Sequence, residues 1–194
     1  MQVELMQSEM VTEAHQSTQM STLQPHPEEP SNLPWYVTYT CPRHEKHVAR
    51  QFERRGISFF LPLYKSMRRW KDRKKQIELP LFPGYVFVQM NSEHRADLLR
   101  VPGVVHLVTF QGKPVPVAGA EFDTLRQGLL GSSVLRPHPY LKAGRKVRIR
   151  NGSMAGIEGI FVRRKDRARV VLSISLIARS VAMEIDETDV EPIS

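Results

Sequence analysis

Two kinds of chemistry are suggested by the residues just after position 40. Cys41, His44 and His47 are metal-ligating and nucleophilic types set close together, and Arg43, Lys46, Arg50, Arg54 and Arg55 are cations interleaved with them. A structural zinc needs ordinarily four converging donors. On a helix the outer two of Cys41, His44 and His47 lie about 600° apart in rotation, so the three do not share a face, and a fourth ligand is missing. As a nucleophile Cys41 has the same weakness, because no nearby carboxylate orients a histidine beside it. The chain also has no glycine-rich phosphate loop ending in Lys-Ser/Thr, no GxGxxG and no His-Glu-x-x-His. The expectation is a protein that is not an enzyme and needs no cofactor or metal. The cations remain: a recurrence near every third or fourth position puts several on one exposed helix face, which suits a polyanion.

The charge distribution sharpens that reading. The chain has 194 residues and a formal charge of +8, from Lys+Arg 28 against Asp+Glu 20. Residues 1–34 hold no Lys or Arg and the carboxylates Glu4, Glu9, Glu13, Glu28 and Glu29, so everything basic lies beyond them. The densest stretch, Arg43 to Lys75, sets twelve basic residues against three acidic ones. A clustered positive field on a folded body fits nucleic acid; a solvated basic surface is the plainer reading of the same residues. Hydrophobic content of 41% supports a core, and the single cysteine excludes a disulfide framework. No apolar run approaches the roughly 20 residues of a membrane helix, so the expectation is a cytoplasmic protein without a membrane partner.

The elements that would position these residues follow from pattern. Residues 1–32, rich in Gln, Ser, Thr, Glu and Met, show no sustained apolar period and are expected to form a disordered tail. Trp35 to Thr40 reads as a strand, and Val48, Ala49 and Phe52 mark the apolar face of a helix that Gly56 can close. A strand over 57–64 is expected to be cut by Pro62, with a hairpin arm at 76–79 beyond the charged stretch. Gly84 to Met90 is the strongest strand: Pro83-Gly84 makes a turn, Tyr85 and Phe87 project to one face, and Val86 and Val88 to the other. One face can fill a core while the other presents aromatics, and spacing alone serves burial of all four equally well. A short helix over 92–99 with Leu98 and Leu99 inward, a strand over 104–110, a turn at Gln111-Gly112 and a helix over 120–130 complete an α+β unit with helices on a mainly antiparallel sheet. Residues 132–139 are expected as a flexible linker. Short strands with crowded glycines over 140–194 suggest a small β-barrel. The organisation expected is tail 1–32, domain 33–131, linker 132–139 and domain 140–194.

Several motifs in order carry a resemblance. Trp35-Tyr36, Phe82-Pro83-Gly84-Tyr85-Val86-Phe87-Val88, Val101-Pro102-Gly103-Val104 and the segment Gly144-x-x-Val147, Gly152-x-x-x-Gly156-x-x-Gly159 together resemble NusG-like transcription elongation factors. Pro42-Arg43-His44-Glu45-Lys46, Phe60-Leu61-Pro62-Leu63, Trp70-x-Asp72-Arg73-Lys74-Lys75 and Val115-Pro116-Val117 look like the specialised RfaH- and UpxY-type antiterminators. The resemblance implies a monomer with an α+β polymerase-binding domain, a flexible linker and a C-terminal KOW domain with an SH3-like barrel. It implies that Tyr39, Phe82, Pro83, Tyr85, Phe87 and Phe110 form a hydrophobic patch for the clamp helices of the largest RNA polymerase subunit. It implies that Arg43, Lys46, Arg50, Arg54, Arg55 and Trp70 face the non-template DNA strand. Cys41 stands where the specialised factors carry a basic residue. In the KOW domain the general factor's partner-binding turn has no Phe here, and Leu176 and Ile177 either substitute as its apolar tip or belong to the core, which keeps open a small-subunit ribosomal protein as partner and disfavours Rho. Val170 to Ile177 is rich in β-branched residues, so a β-structured C-terminal domain with no switch to helix is expected. The competing readings are a general NusG acting in termination and a KOW-type RNA-binding or ribosome-associated protein.

Overall fold

The computed structural model describes residues 22–23, 33–70, 73–131, 135–141, 144–164 and 167–193. In chain order the first unit comprises β1 (Thr22–Leu23), β2 (Trp35–Thr40), α1 (Glu45–Arg54), β3 (Phe59–Trp70), β4 (Arg73–Pro80) and β5 (Tyr85–Gln89). It continues with a single 3-10 turn at Ser92–His94, α2 (Arg95–Leu99), β6 (Val104–Leu107), the hairpin of β7 (Thr109–Phe110) and β8 (Lys113–Pro114), and α3 (Gly119–Leu130). Its main sheet has the order β1-β3-β5-β2-β6, with β4 paired to β3. The second unit comprises β9 (Arg136–His138), β10 (Arg145–Ile149), β11 (Glu158–Arg164), β12 (Arg167–Ile174), β13 (Arg179–Ile185) and β14 (Val190–Pro192). They form one sheet in the order β14-β10-β11-β12-β13-β9, antiparallel throughout.

Alternation along the central strands explains the layering. Tyr36, Val86, Val88, Phe59 and Leu61 face one side and pack with Val48, Ala49 and Phe52 of α1. Their neighbours Val37, Phe87 and Phe60 face the other side and pack with Phe122, Leu125 and Leu129 of α3. A helix therefore covers each face, as the period-2 and period-3.6 apolar patterns require. The cluster beneath α3 does not stop at the first unit. It runs on through Leu135, Val147, Ile149, Leu172 and Met183 of the second sheet, so α3 is a layer shared by both. Gly128 permits the approach: a Cβ there would lie 3.2 Å from Leu172 Cδ1 and 3.5 Å from Met183 Cε.

Several expectations are corrected. β3 passes through Pro62 instead of ending there, because the Pro62 carbonyl still accepts the Leu81 N–H at 2.9 Å and the strand forgoes only one donor. The charged stretch is itself β-structure, pairing Arg68 with Lys75 and Arg69 with Lys74 in the β3–β4 hairpin. Like charges directly opposite oppose such pairing, which is why the pattern did not suggest it. The strand expected over 104–110 divides at Val108, whose N–H donates to Val37 O, and the chain turns at Gln111 (φ 51) and Gly112 (φ 78) as a tight hairpin of this kind demands. Leu98 is buried but Leu99 is exposed. In the segment expected as a linker, Arg136–His138 pair with β13 and Leu135 is buried, while 132–134 lie outside the described residues. The expected tail also lies outside them, except for Thr22–Leu23, which pair with Pro62 and Leu61 of β3. Val170 to Ile174 is strand, as its composition indicated.

Candidate functional site

A row of rings crosses three neighbouring strands. Tyr39 on β2 is in register with Tyr85 on β5 and with His106 on β6. The ring centroids lie 5.4 Å apart for Tyr39 and Tyr85, and 5.2 Å for Tyr39 stacked on His106. Both tyrosines are half-buried, Tyr85 packing against the core shared with the second sheet, and His106 is exposed. Its geometry comes from a turn. Gly84 takes φ +85, and a Cβ there would stand 3.1 Å from Tyr39 Cε2, so the close approach of turn and ring needs glycine. The Tyr85 N–H donates to Phe82 O at 3.1 Å, and the Gly84 N–H donates to Glu45 Oε1 at 2.6 Å. Glu45 is buried in the first turn of α1, where a carboxylate is favoured by the exposed helix N–H groups, and so ties that helix to the turn.

The remaining residues of the expected aromatic patch separate. Phe82 and Phe87 are 1% and 0% exposed and belong to the core, not to a surface. Phe87 packs with Phe60, Phe82 and Phe122 at centroid distances of 5.9, 5.6 and 5.5 Å. The expectation that they face a partner is therefore corrected: α3 occupies the side of the sheet to which Phe87 points. Phe122, Leu125 and Leu129 of α3 supply that cover. Pro83 is exposed, and Phe110 is 66% exposed on the β7–β8 hairpin, with no ring contact to the tyrosines. Alternation alone did not reveal His106, which only the β2–β6 register brings to Tyr39.

The basic residues form a second surface. Arg43, at φ 64, and Arg50, Arg54 and Arg55 are exposed, and Arg55 donates to the Gln51 carbonyl at 3.2 Å. Lys46 is partly withdrawn and pairs with Glu78 of β4 at 3.5 Å, which links α1 to the β3–β4 hairpin. On that hairpin Arg68, Arg69, Arg73, Lys74 and Lys75 are exposed. Trp70 ends β3, and residues 71–72 beyond it lie outside the described residues. His44 sets its Nδ1 3.0 Å from Pro42 O and meets His47 edge-on at 6.1 Å. Among the described residues no group of three His, Cys, Asp or Glu side chains could hold a metal ion.

In the second unit the expected apolar tip is not free. Ile177 is buried at 7% exposed, and Leu176 packs against the shared core. The turn that carries them, Ser175–Ile177, is held to the first unit because the Ser175 N–H donates to Glu121 Oε2 at 2.9 Å. Just past it, the Arg179 guanidinium stands 5.9 Å from the Tyr85 ring centroid, a cation–π arrangement between the units.

A family model described as "Transcription termination factor nusG" matches residues 33–126. The chain is 25% identical to the transcription termination/antitermination protein NusG of Pseudomonas aeruginosa over 175 residues, 82% of this chain and 98% of that one. It is 26% identical to the protein of the same name from Vibrio cholerae over 174 residues, 82% of this chain and 95% of that one. Among solved structures, one described as "Domain interaction in Thermotoga maritima NusG" is 26% identical, with a TM-score of 0.47, covering 83% of this chain and 97% of that one.

Proposed function

We propose that this chain, which carries a NusG-family domain over residues 33–126, is a transcription elongation and antitermination factor that docks on RNA polymerase through the Tyr39–Tyr85–His106 row. The single observation that carries this is the row itself: amphipathic rings on three paired strands, fixed by the Gly84 turn, with Tyr39 and Tyr85 half-buried and His106 exposed. Rigid aromatics of this kind give large contact area at low entropic cost, which is how hot spots are built. The occupant proposed is the clamp-helix coiled coil of the largest subunit. A ligand that binds only the closed polymerase clamp shifts its equilibrium towards closed, which favours processive elongation without any chemistry.

The exposed arginines of α1 then face the non-template strand, where neutralising phosphates makes binding salt-dependent. The second unit is read as a KOW domain that recruits a further partner, a small-subunit ribosomal protein or another, through surfaces other than the buried Ile177. Substituting Tyr85→Ala tests the reading. It should leave the fold intact and weaken binding to purified RNA polymerase by about 2 kcal/mol or more, the loss typical of a central aromatic anchor. Arg54→Ala should leave polymerase affinity unchanged and remove only part of the salt-sensitive affinity for DNA. If Tyr85→Ala binds polymerase normally, the row is not the docking surface.

A further inference from the structure

α1 ends on a glycine, and the turn there leaves an apolar hollow. Gly56 takes φ 65, and its N–H donates to Glu53 O at 3.1 Å while the Ile57 N–H donates to Phe52 O at 3.0 Å. α2, which packs nearby, is 5 residues long and buries one side chain, Leu98, so apolar surface beside it stays uncovered. The result is a cavity of about 400 Å³, floored by Ile57, Met90 and Leu98 and rimmed by Arg55, His94, Asp97 and Arg100. Leu98 and Met90 are buried and Ile57 half-buried, all three in the core beneath α1, so the floor is preformed.

The rim is cationic. Arg55 and Arg100 are exposed and set two guanidinium cations against the single carboxylate of Asp97. Arg55 donates to the carbonyl and the side-chain oxygen of Gln51, neutral partners that leave its charge in place. Asp97 meets Arg100 at 3.4 Å with side chains 65% and 80% exposed, a contact that water screens. A hollow of this size, apolar below with a few polar groups at its mouth, is the common form of a small-molecule site. The charge decides the class of molecule. A cation is repelled and a neutral molecule gains only the floor, whereas an apolar body ending in a carboxylate uses both floor and rim.

We propose that this cavity binds a small amphipathic carboxylate, with its alkyl or aryl body against Ile57, Met90 and Leu98 and its carboxylate on Arg55 and Arg100. The site is independent of the polymerase reading, because it shares no residue with the Tyr39–Tyr85–His106 row.

Methyl NMR of the full-length protein carrying ¹³C-methyl methionine tests this, with octanoate as the probe. Met90 reports on the floor, and Met67, 61% exposed on β3, is the control. Octanoate should move the Met90 methyl saturably and leave Met67 in place. Hexanoate lacks two of its methylenes and should bind about tenfold more weakly. Octylammonium, the same chain with the opposite charge, should give no saturable shift. Arg55→Gln and Arg100→Gln, both at exposed positions, should each weaken octanoate several-fold, and the double variant should not saturate over the same range. A Met90 methyl that octanoate leaves unmoved overturns the proposal. So does octylammonium binding as well as octanoate, hexanoate binding equally, parallel movement of Met67, or unchanged affinity in the double variant.

Discussion

Phe87 and Phe110 show how much a residue's role depends on what lies over it. Phe87 is fully buried among three other phenylalanine rings, so Phe87→Ala removes both transfer energy and packing, a loss of about 3–5 kcal/mol in urea denaturation. Phe110→Ala, at an exposed hairpin end, should stay within about 0.5 kcal/mol of wild type in the same measurement. A comparable loss for both would mean that Phe110 is covered in solution. Alternation placed Tyr85 and Phe87 on one face and Val86 and Val88 on the other, and the structure has them so. What could not be read was the cover over Phe87, because periodicity describes a strand's own faces and not the element that arrives on them 35 residues later. The Arg179 contact to Tyr85 was out of reach for the same reason: it joins residues whose sequence separation carries no local pattern.

Among the elements, turns and strand pairs carry the constraints. Gly84→Ala combines a left-handed backbone with a Cβ 3.1 Å from the Tyr39 ring, so it should both destabilise the first unit and displace Tyr39. Near-ultraviolet dichroism of the tyrosines, followed through denaturation, reads both effects; an unchanged spectrum and midpoint would contradict it. On the other sheet, β12 and β13 are bridged by Glu184, which accepts from Arg167 at 2.9 Å and Arg169 at 3.2 Å. Those hydrogen bonds, Arg167's first, hold its carboxyl below the usual carboxylate range. A group depressed on folding stabilises above its unfolded value and loses that contribution as pH falls through its folded one. The second unit should therefore lose a small part of its thermal stability on acidification below about pH 4.5, and Glu184→Gln should flatten that portion of the Tm–pH curve. The helices and most strands were legible from apolar period. The β3–β4 hairpin was not, since its outer half is largely charged and its facing cations oppose the pairing that β5 and α1 nonetheless anchor at its base.

For the whole molecule, α3 decides how the two units behave. Its residues Phe122, Leu125 and Leu129 lie in a core that extends into the second sheet, and Glu121 holds the Ser175 turn. Calorimetry of the wild type should show a single transition. Gly128→Leu, which forces a side chain into Leu172 and Met183, should split it in two and release Tyr85 from Arg179. One transition in the variant would show that the units are coupled elsewhere. Composition suggested a free linker after α3, because Gly, Ser and Pro are the residues of mobile chain, yet Arg136–His138 lies in the second sheet as its edge strand. A short polar run does not disclose that a neighbouring sheet has an unpaired edge to offer.

The Glu45–Gly84 hydrogen bond has a kinetic consequence. The Gly84 amide belongs to no sheet ladder, and its proton is held instead by a side chain rooted in the first turn of α1. Amides in turns ordinarily exchange with deuterium fast, and this one should be slowed for as long as the Glu45 carboxylate holds it. Glu45→Gln or Glu45→Ala should therefore speed its exchange. The prong that presents Tyr85 is thus tethered to the helix that displays the arginines by one buried carboxylate.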